Sequence, residues 1–224
     1  MNEQSMQAVI NSGLFDGVAR REMDGLLLRL HSKQVAFDRN ELIMGAGERV
    51  QSMGILLSGA AYVVKDDFWG ERTVLSALRP GDVFAEEHAL LPNVPLETSV
   101  MGAAPGEALL LDAGEVFRDM SDESSSRMAV NLMTVLACKN LLLSRQTEIL
   151  SKRTIRERLI SYLSAEAFHR GLSAFEIPFS RQELADHLSV DRCALCTEIS
   201  RMKEEGIIEA ERRTFVMLRD REDS

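Results

Sequence analysis

Cysteine is scarce in this 224-residue chain: there are three, an odd number, and none precedes Cys138. A disulfide framework is excluded on that count, and a reduced, cytoplasmic setting is the expectation. Long apolar runs are also lacking. No uncharged apolar stretch approaches the roughly 20 residues that span a bilayer. The opening Met-Asn-Glu-Gln lacks the basic-then-apolar order of a secretory leader, so no membrane partner is expected. Positive charge is not in excess either, since the formal net charge is −9. Residues 1–150 hold 13 Lys/Arg against 21 Asp/Glu, and residues 151–224 hold 13 against 14. The acidity therefore sits in the first part. The second part is near neutral and can still present a basic face to nucleic acid. Catalytic signatures are missing too. The histidines His31, His88, His169 and His187 are scattered, and no glycine-rich phosphate loop or nucleophile motif occurs. An enzyme is not expected.

An apolar fraction of 45% with 27% charged residues suits one large or two modest globular domains. Residues 14–30 read as an N-terminal helical segment. From His31 to about Phe117, short apolar runs alternate with turn signals such as Gly45-Ala46-Gly47, Ser58-Gly59, Pro80-Gly81-Asp82 and Pro105-Gly106. That spacing predicts an antiparallel β-roll, barrel or sandwich, with Asp66–Gly70 as a hairpin turn. The expected boundaries are 1–123 for this part, 124–150 for a long helix and 151–224 for a C-terminal domain.

In the long helix, Met128, Val135, Leu142 and Ile149 recur every seven residues, flanked by Leu132, Leu136 and Leu143. This broad stripe either packs on its own domain or pairs with a second copy; a homodimer is the expectation. A further helix is read over Ser151–Gly171, with Ile155, Leu159, Tyr162, Leu163 and Phe168 on its apolar side and Gly171 as its stop.

Next comes a compact pattern. Ser180 and Glu183 form a capping box; Leu184, Ala185 and Leu188 supply a buried face. Ser189-Val190 make a tight turn, and Asp191 caps a helix over Arg192 to about Glu204. Ile207–Ala210 and Thr214–Leu218 then read as a two-strand wing. Two helices joined by so short a turn cross steeply and need a small residue where they meet, which Ala185 supplies. The second helix projects its first turns outward at groove width. Arg192 can form paired hydrogen bonds to guanine. Cys193, Cys196 and Thr197 share its outward face. Ser180, Arg181, Arg201, Lys203, Arg212 and Arg213 are candidates for phosphate contacts. Cys193 and Cys196 are either redox-active thiols or small neutral residues; spacing alone does not decide.

Residues 179–218 resemble the C-terminal winged helix-turn-helix of the Crp/Fnr family, and the order of strand-rich part, long helix and helix-turn-helix matches that family along nearly the whole chain. The segment PGDVFAEEHALL (Pro80–Leu91) is similar to its ligand cradle. The resemblance implies an α+β fold: an N-terminal β-roll (double-stranded β-helix-like), a dimerising helix and a winged helix-turn-helix. It also implies a homodimer on a palindromic double-stranded DNA operator, working with RNA polymerase. Effector candidates in the cradle are Glu86, Glu87, His88, Glu97 and Thr98. Cyclic-nucleotide-binding members carry a Gly-Glu pair and an Arg-Ser pair. Here Ala85-Glu86 and Leu96-Glu97-Thr98-Ser99 stand instead, with no arginine. A carboxylate at Glu97 repels phosphate, so an effector other than cyclic AMP is expected. The cysteines do not match the family's iron–sulfur ligands. His88 lies near the position of the haem-binding member's histidine, a weak signal for haem. The competing expectation is a small-molecule-binding or redox- or haem-sensing cupin-like protein whose C-terminal helices only pack.

Overall fold

The computed structural model describes residues 1–91, 93–118 and 120–218. Two compact units share the chain, Met1–Lys139 and Asn140–Ser224.

The first unit begins with helices α1 (Glu3–Asn11) and α2 (Arg20–Arg29). Six strands follow: β1 (Lys33–Phe37), β2 (Leu42–Met44), β3 (Ser52–Asp66), β4 (Arg72–Leu78), β5 (Val83–Phe84) and β6 (Ser99–Asp112). They form one antiparallel sheet in the order β1-β6-β3-β4, with β2 also on β6 and β5 on β3. The short helices α3 (Glu86–Ala89) and α4 (Ala113–Arg118) precede and follow β6. Alternation along β3 sends Met53, Ile55 and Leu57 into one core, with Leu14, Leu26, Leu30 and Leu132. Leu56 and Ala61 go into the other, with Phe37, Phe84 and Val100.

Two readings of this unit change. The segment 14–30 is not one helix: turns occupy its first residues, Gly17 lies at φ +73°, and α2 starts only at Arg20. The preceding α1 has no counterpart in the sequence reading, because it buries mostly small residues, Ser5, Ala8 and Val9. The other change concerns Ser58-Gly59 and Pro105-Gly106. These are not turns between strands. They face each other inside β3 and β6, where the register slips repeatedly between Leu56 and Ala61. Gly59 adopts φ +76°, and a Cβ there would lie 2.4 Å from the Pro105 carbonyl oxygen. Glycine is required for backbones this close, and the bulge lets a long strand bend without ending. The hairpin between β3 and β4 turns at Asp67, whose Oδ1 accepts from the N–H groups of Trp69 and Glu71 at 2.8 Å each. At its tip Phe68 and Trp69 stand 95% and 87% exposed, edge to face.

Helix α5 (Glu123–Ser151) spans the boundary between the units. Among the described residues, no helix is long and apolar enough to cross a membrane. The second unit continues with α6 (Ile155–Arg170), β7 (Ala174–Glu176), α7 (Arg181–His187), α8 (Arg192–Glu204), β8 (Ile208–Glu211) and β9 (Thr214–Met217). The small sheet has the order β7-β9-β8. Helix α6 begins four residues later than the sequence reading has it. Thr154 and Glu157 form a capping box there, while α5 runs on to Ser151. Gly171 ends α6 in the left-handed conformation, as expected. Phe168, read as apolar-side, is 88% exposed instead. Leu159, Tyr162 and Leu163 pack with Phe175, Leu184, Leu195 and Phe215.

Gly59→Ala is expected to cost at least ~2 kcal/mol, from the left-handed φ and the clash with Pro105 together. A thermal or urea melt within experimental error of wild type would refute this account of the bulge.

Candidate DNA-reading face and effector pocket

In the second unit, α7 and α8 are each capped by a side chain at the start. Ser180 Oγ accepts from the Glu183 N–H at 3.3 Å, while the Glu183 carboxylate accepts from the Ser180 N–H at 2.6 Å. Asp191 Oδ1 accepts from the Ala194 N–H at 2.8 Å. Such caps are worth ~1 kcal/mol each. The turn between the helices needs Ser189 at φ +52°. Arg158 of α6 holds that turn, donating from Nη1 to the carbonyls of Leu188 and Ser189 at 3.0 and 3.2 Å. Ala185, with no accessible surface, lies in the core between α7 and α8. Leu195, Ile199 and Met202 turn inward from α8.

The outward side of α8 is thereby fixed. Arg192, Cys193 and Thr197 are exposed and Cys196 is half-buried. Arg192 has no intramolecular ion pair or hydrogen-bond partner among the described residues. Thr197 Oγ1 donates to the Cys193 carbonyl at 2.9 Å, which leaves its oxygen as an acceptor. Arg201, Lys203, Arg212 and Arg213 are exposed as well, with Arg201 leaning on Glu198 at 3.4 Å. Arg212 sits in the wing turn at φ +48°. Arg181 departs from the expected phosphate-facing role. Its guanidinium lies over the Phe215 ring, 4.7 Å from the centroid, and is half-buried, so it packs the wing onto α7. The sequence alone assigns no role to Arg156 and Arg158. Arg156 bridges Glu198 at 2.5 Å and Glu205 at 2.7 and 2.8 Å, tying α6 to α8. Glu198, Glu205, Leu188 and Ser189 lie far off in sequence from these arginines, so no local pattern identifies the contacts.

In the first unit, the cradle segment folds into β5 and α3. Ala85 takes φ +58°, a left-handed conformation that costs a non-glycine residue about 1 kcal/mol. Glu86 follows at 1% exposure. Its Oε1 lies 2.6 Å from Lys139 Nζ, and Nζ also donates to the Val83 carbonyl at 2.7 Å. The second oxygen, Oε2, is buried without a partner among the described residues. Burial pushes the Glu86 pKa up, against the opposing pull of Lys139. A cavity of about 190 Å³ opens here. Of the five effector candidates, Glu86, Glu87 and Thr98 line it. His88 instead faces Glu87, at 3.3 Å. Glu97 is exposed, 3.9 Å from Lys65. Lys139 was missed, although it is the one charged residue between Arg127 and Arg145. Elsewhere His31, Asp112 and Glu115 each bring a ligand atom within 4.8 Å of the others. Glu115 is already paired with Arg118.

On α5, Met128 and Leu132 are fully buried in the core of the first unit and Ile149 is in that of the second. Their side chains therefore do not offer a surface to a second copy. Val135 and Leu136 are half-buried. Leu142 and Leu143 are exposed, as are Val130, Met133 and Leu141.

The His187 ring stacks on Phe179, centroids 4.9 Å apart, and meets Tyr162 edge-on. Burial lowers its pKa from the ordinary 6.5. The folded state thus favours neutral imidazole. The stability this contributes is present above the ordinary value and is lost as the pH falls through the lowered one. The melting temperature should drop as the pH falls below the ordinary 6.5, and His187→Phe should flatten that slope. An equal slope in the variant would refute the assignment. Arg158→Ala should destabilise the helix-turn-helix by about 1.5–3 kcal/mol, the scale of a charged hydrogen bond, as read by hydrogen exchange of the α7 and α8 amides.

The family profile described as a cyclic nucleotide-binding domain matches residues 34–124, and that of a Crp-like helix-turn-helix domain matches residues 157–223. No protein of curated function matches the sequence significantly. Among solved structures, DNR from Pseudomonas aeruginosa is similar, with 22% identity and a TM-score of 0.51 over 99% of this chain and 96% of that one. A CooA mutant from Carboxydothermus hydrogenoformans gives 16%, 0.52, and 87% and 86%. The c-di-GMP responsive global regulator CLP from Xanthomonas campestris gives 16%, 0.50, and 88% and 100%. With a cyclic nucleotide-binding domain followed by a Crp-like helix-turn-helix, the chain belongs to the Crp/Fnr family of DNA-binding transcription regulators, which are not enzymes.

Proposed function

We propose that this regulator reads a palindromic operator in the cytoplasm as a homodimer, acting with RNA polymerase under the control of a small effector other than cyclic AMP. The observation that carries the reading is the capped, outward first turn of α8. There Arg192, free of intramolecular partners among the described residues, stands beside Cys193 and Thr197. An unpaired guanidinium on a groove-sized helix suits bidentate contact with guanine O6 and N7. Exposed Arg201, Lys203, Arg212 and Arg213 supply phosphate contacts. The exposed Val130, Met133 and Leu141–Leu143 on α5 suit burial against a second copy. Against cyclic AMP stands the cavity lining, which among the described residues holds carboxylates and a lysine already paired but no arginine. Effector binding is expected to shift the population of dimers whose two heads match successive major grooves, about 34 Å apart.

Arg192→Ala should cost ~1–3 kcal/mol of discrimination at one operator position while leaving non-specific binding in place. Arg212→Ala should weaken all sequences alike and flatten the salt dependence by about one ion. Fluorescence anisotropy across a salt series, on an operator selected from random DNA, measures both. Undiminished specificity in Arg192→Ala would overturn the readout. Native mass spectrometry should show twice the chain mass on that operator, and a monomer would overturn the dimer.

A further inference from the structure

The cavity beside Glu86 carries information about the chemistry of its ligand, an inference that rests on the effector-controlled reading above. Among the described residues its lining has two carboxylates, Glu86 and Glu87, against one ammonium, Lys139, and no guanidinium. That ammonium is committed, to Glu86 Oε1 and to the Val83 carbonyl. An anion entering would meet net negative charge and no free cation. Glu86, by contrast, is 1% exposed and still has an oxygen, Oε2, to which no side chain or backbone N–H donates among the described residues. A buried carboxylate oxygen in that condition calls for a strong donor. Val63, Phe84 and Leu96 give the same cavity apolar walls, and Ser76 and Thr98 give it hydroxyls. About 190 Å³ is below the ~300–1,000 Å³ of most small-molecule sites, so the occupant is short.

We propose that the effector is a short-chain primary ammonium compound that replaces the Lys139 ammonium at Glu86. The exchange swaps one cation for another, so the buried carboxylate stays neutralised throughout. Lys139 can leave because its side chain is 43% exposed and its flexible stem lets the head turn to water. Once it leaves, α5 loses its polar tie to the pocket at the last residue of the first unit. Ligand binding is thereby coupled to the helix that continues into the second unit.

The test is isothermal titration of the full chain with n-propylammonium chloride, with cyclic AMP and inorganic phosphate as anionic arms. Propylammonium is expected to bind wild type, to bind Lys139→Met at least tenfold more tightly because the internal competitor is gone, and to lose binding in Glu86→Gln. The double variant Glu86→Gln/Lys139→Met removes both charges without leaving one unpaired, so it should fold and not bind. If Lys139→Met does not fold, wild type against the double variant decides. No propylammonium uptake by wild type, equal uptake by Glu86→Gln, or binding of an anion instead would overturn the proposal. Gel shifts on the same preparations separate the two readings. Intact operator binding without ammonium uptake refutes the cationic effector alone, whereas loss of specific binding in wild type refutes the regulator reading itself.

Discussion

Helix α5 imposes the constraint that the rest of the molecule answers. Its 29 residues carry apolar side chains around several faces, and no single layer of the protein covers them all. At the first end Met128, Ala129 and Leu132 enter the core behind the sheet; at the last end Ile149 enters the core under α6 and α7. Between them Leu141, Leu142 and Leu143 stay in solvent. The start of the helix is anchored by Asp122. Its carboxylate accepts from the Ser125 N–H and from the hydroxyls of Ser124 and Ser125, and pairs with Arg29 of α2. These partners hold the carboxyl well below the usual carboxylate range. One helix thus contributes to both units.

The Glu86–Lys139 pair shows how such a helix can be tied to a pocket. Burying the Glu86 charge is expensive, and its attraction to the partly exposed Lys139 repays the cost only with good geometry and satisfied hydrogen bonds. Lys139 meets that standard with two short contacts. Glu86 does not, since one oxygen goes without a donor among the described residues. Natural cores rarely leave a buried carboxylate oxygen so placed. The left-handed Ala85 just before it adds local strain. Two unfavourable features in adjacent residues mark the cradle as shaped for something other than stability.

Much of the helix-turn-helix was legible because its determinants are local. Ser180, Glu183 and Asp191 act within one turn of their own positions, and Gly171 stops a helix by its own backbone freedom. The β-roll was legible as a class and wrong in detail. Ser58-Gly59 and Pro105-Gly106 look like turns one at a time, and only their apposition across two strands shows them to be a bulge. Helix α1 went unread because small residues leave no periodic apolar trace. The functional surroundings were hardest. Arg156, Arg158 and Lys139 act on partners 30 to 56 residues away, and nothing near them in sequence announces it. Lys139 did leave one trace, as an isolated charge within an apolar helix.

The hairpin tip between β3 and β4 holds the chain's single tryptophan. Trp69 is 87% exposed beside an equally bare Phe68, far from any core. Its indole is therefore already solvated in the native state, and unfolding changes its surroundings little. Intrinsic fluorescence of this protein is consequently a poor gauge of denaturation and a sensitive one of whatever comes to rest on that tip.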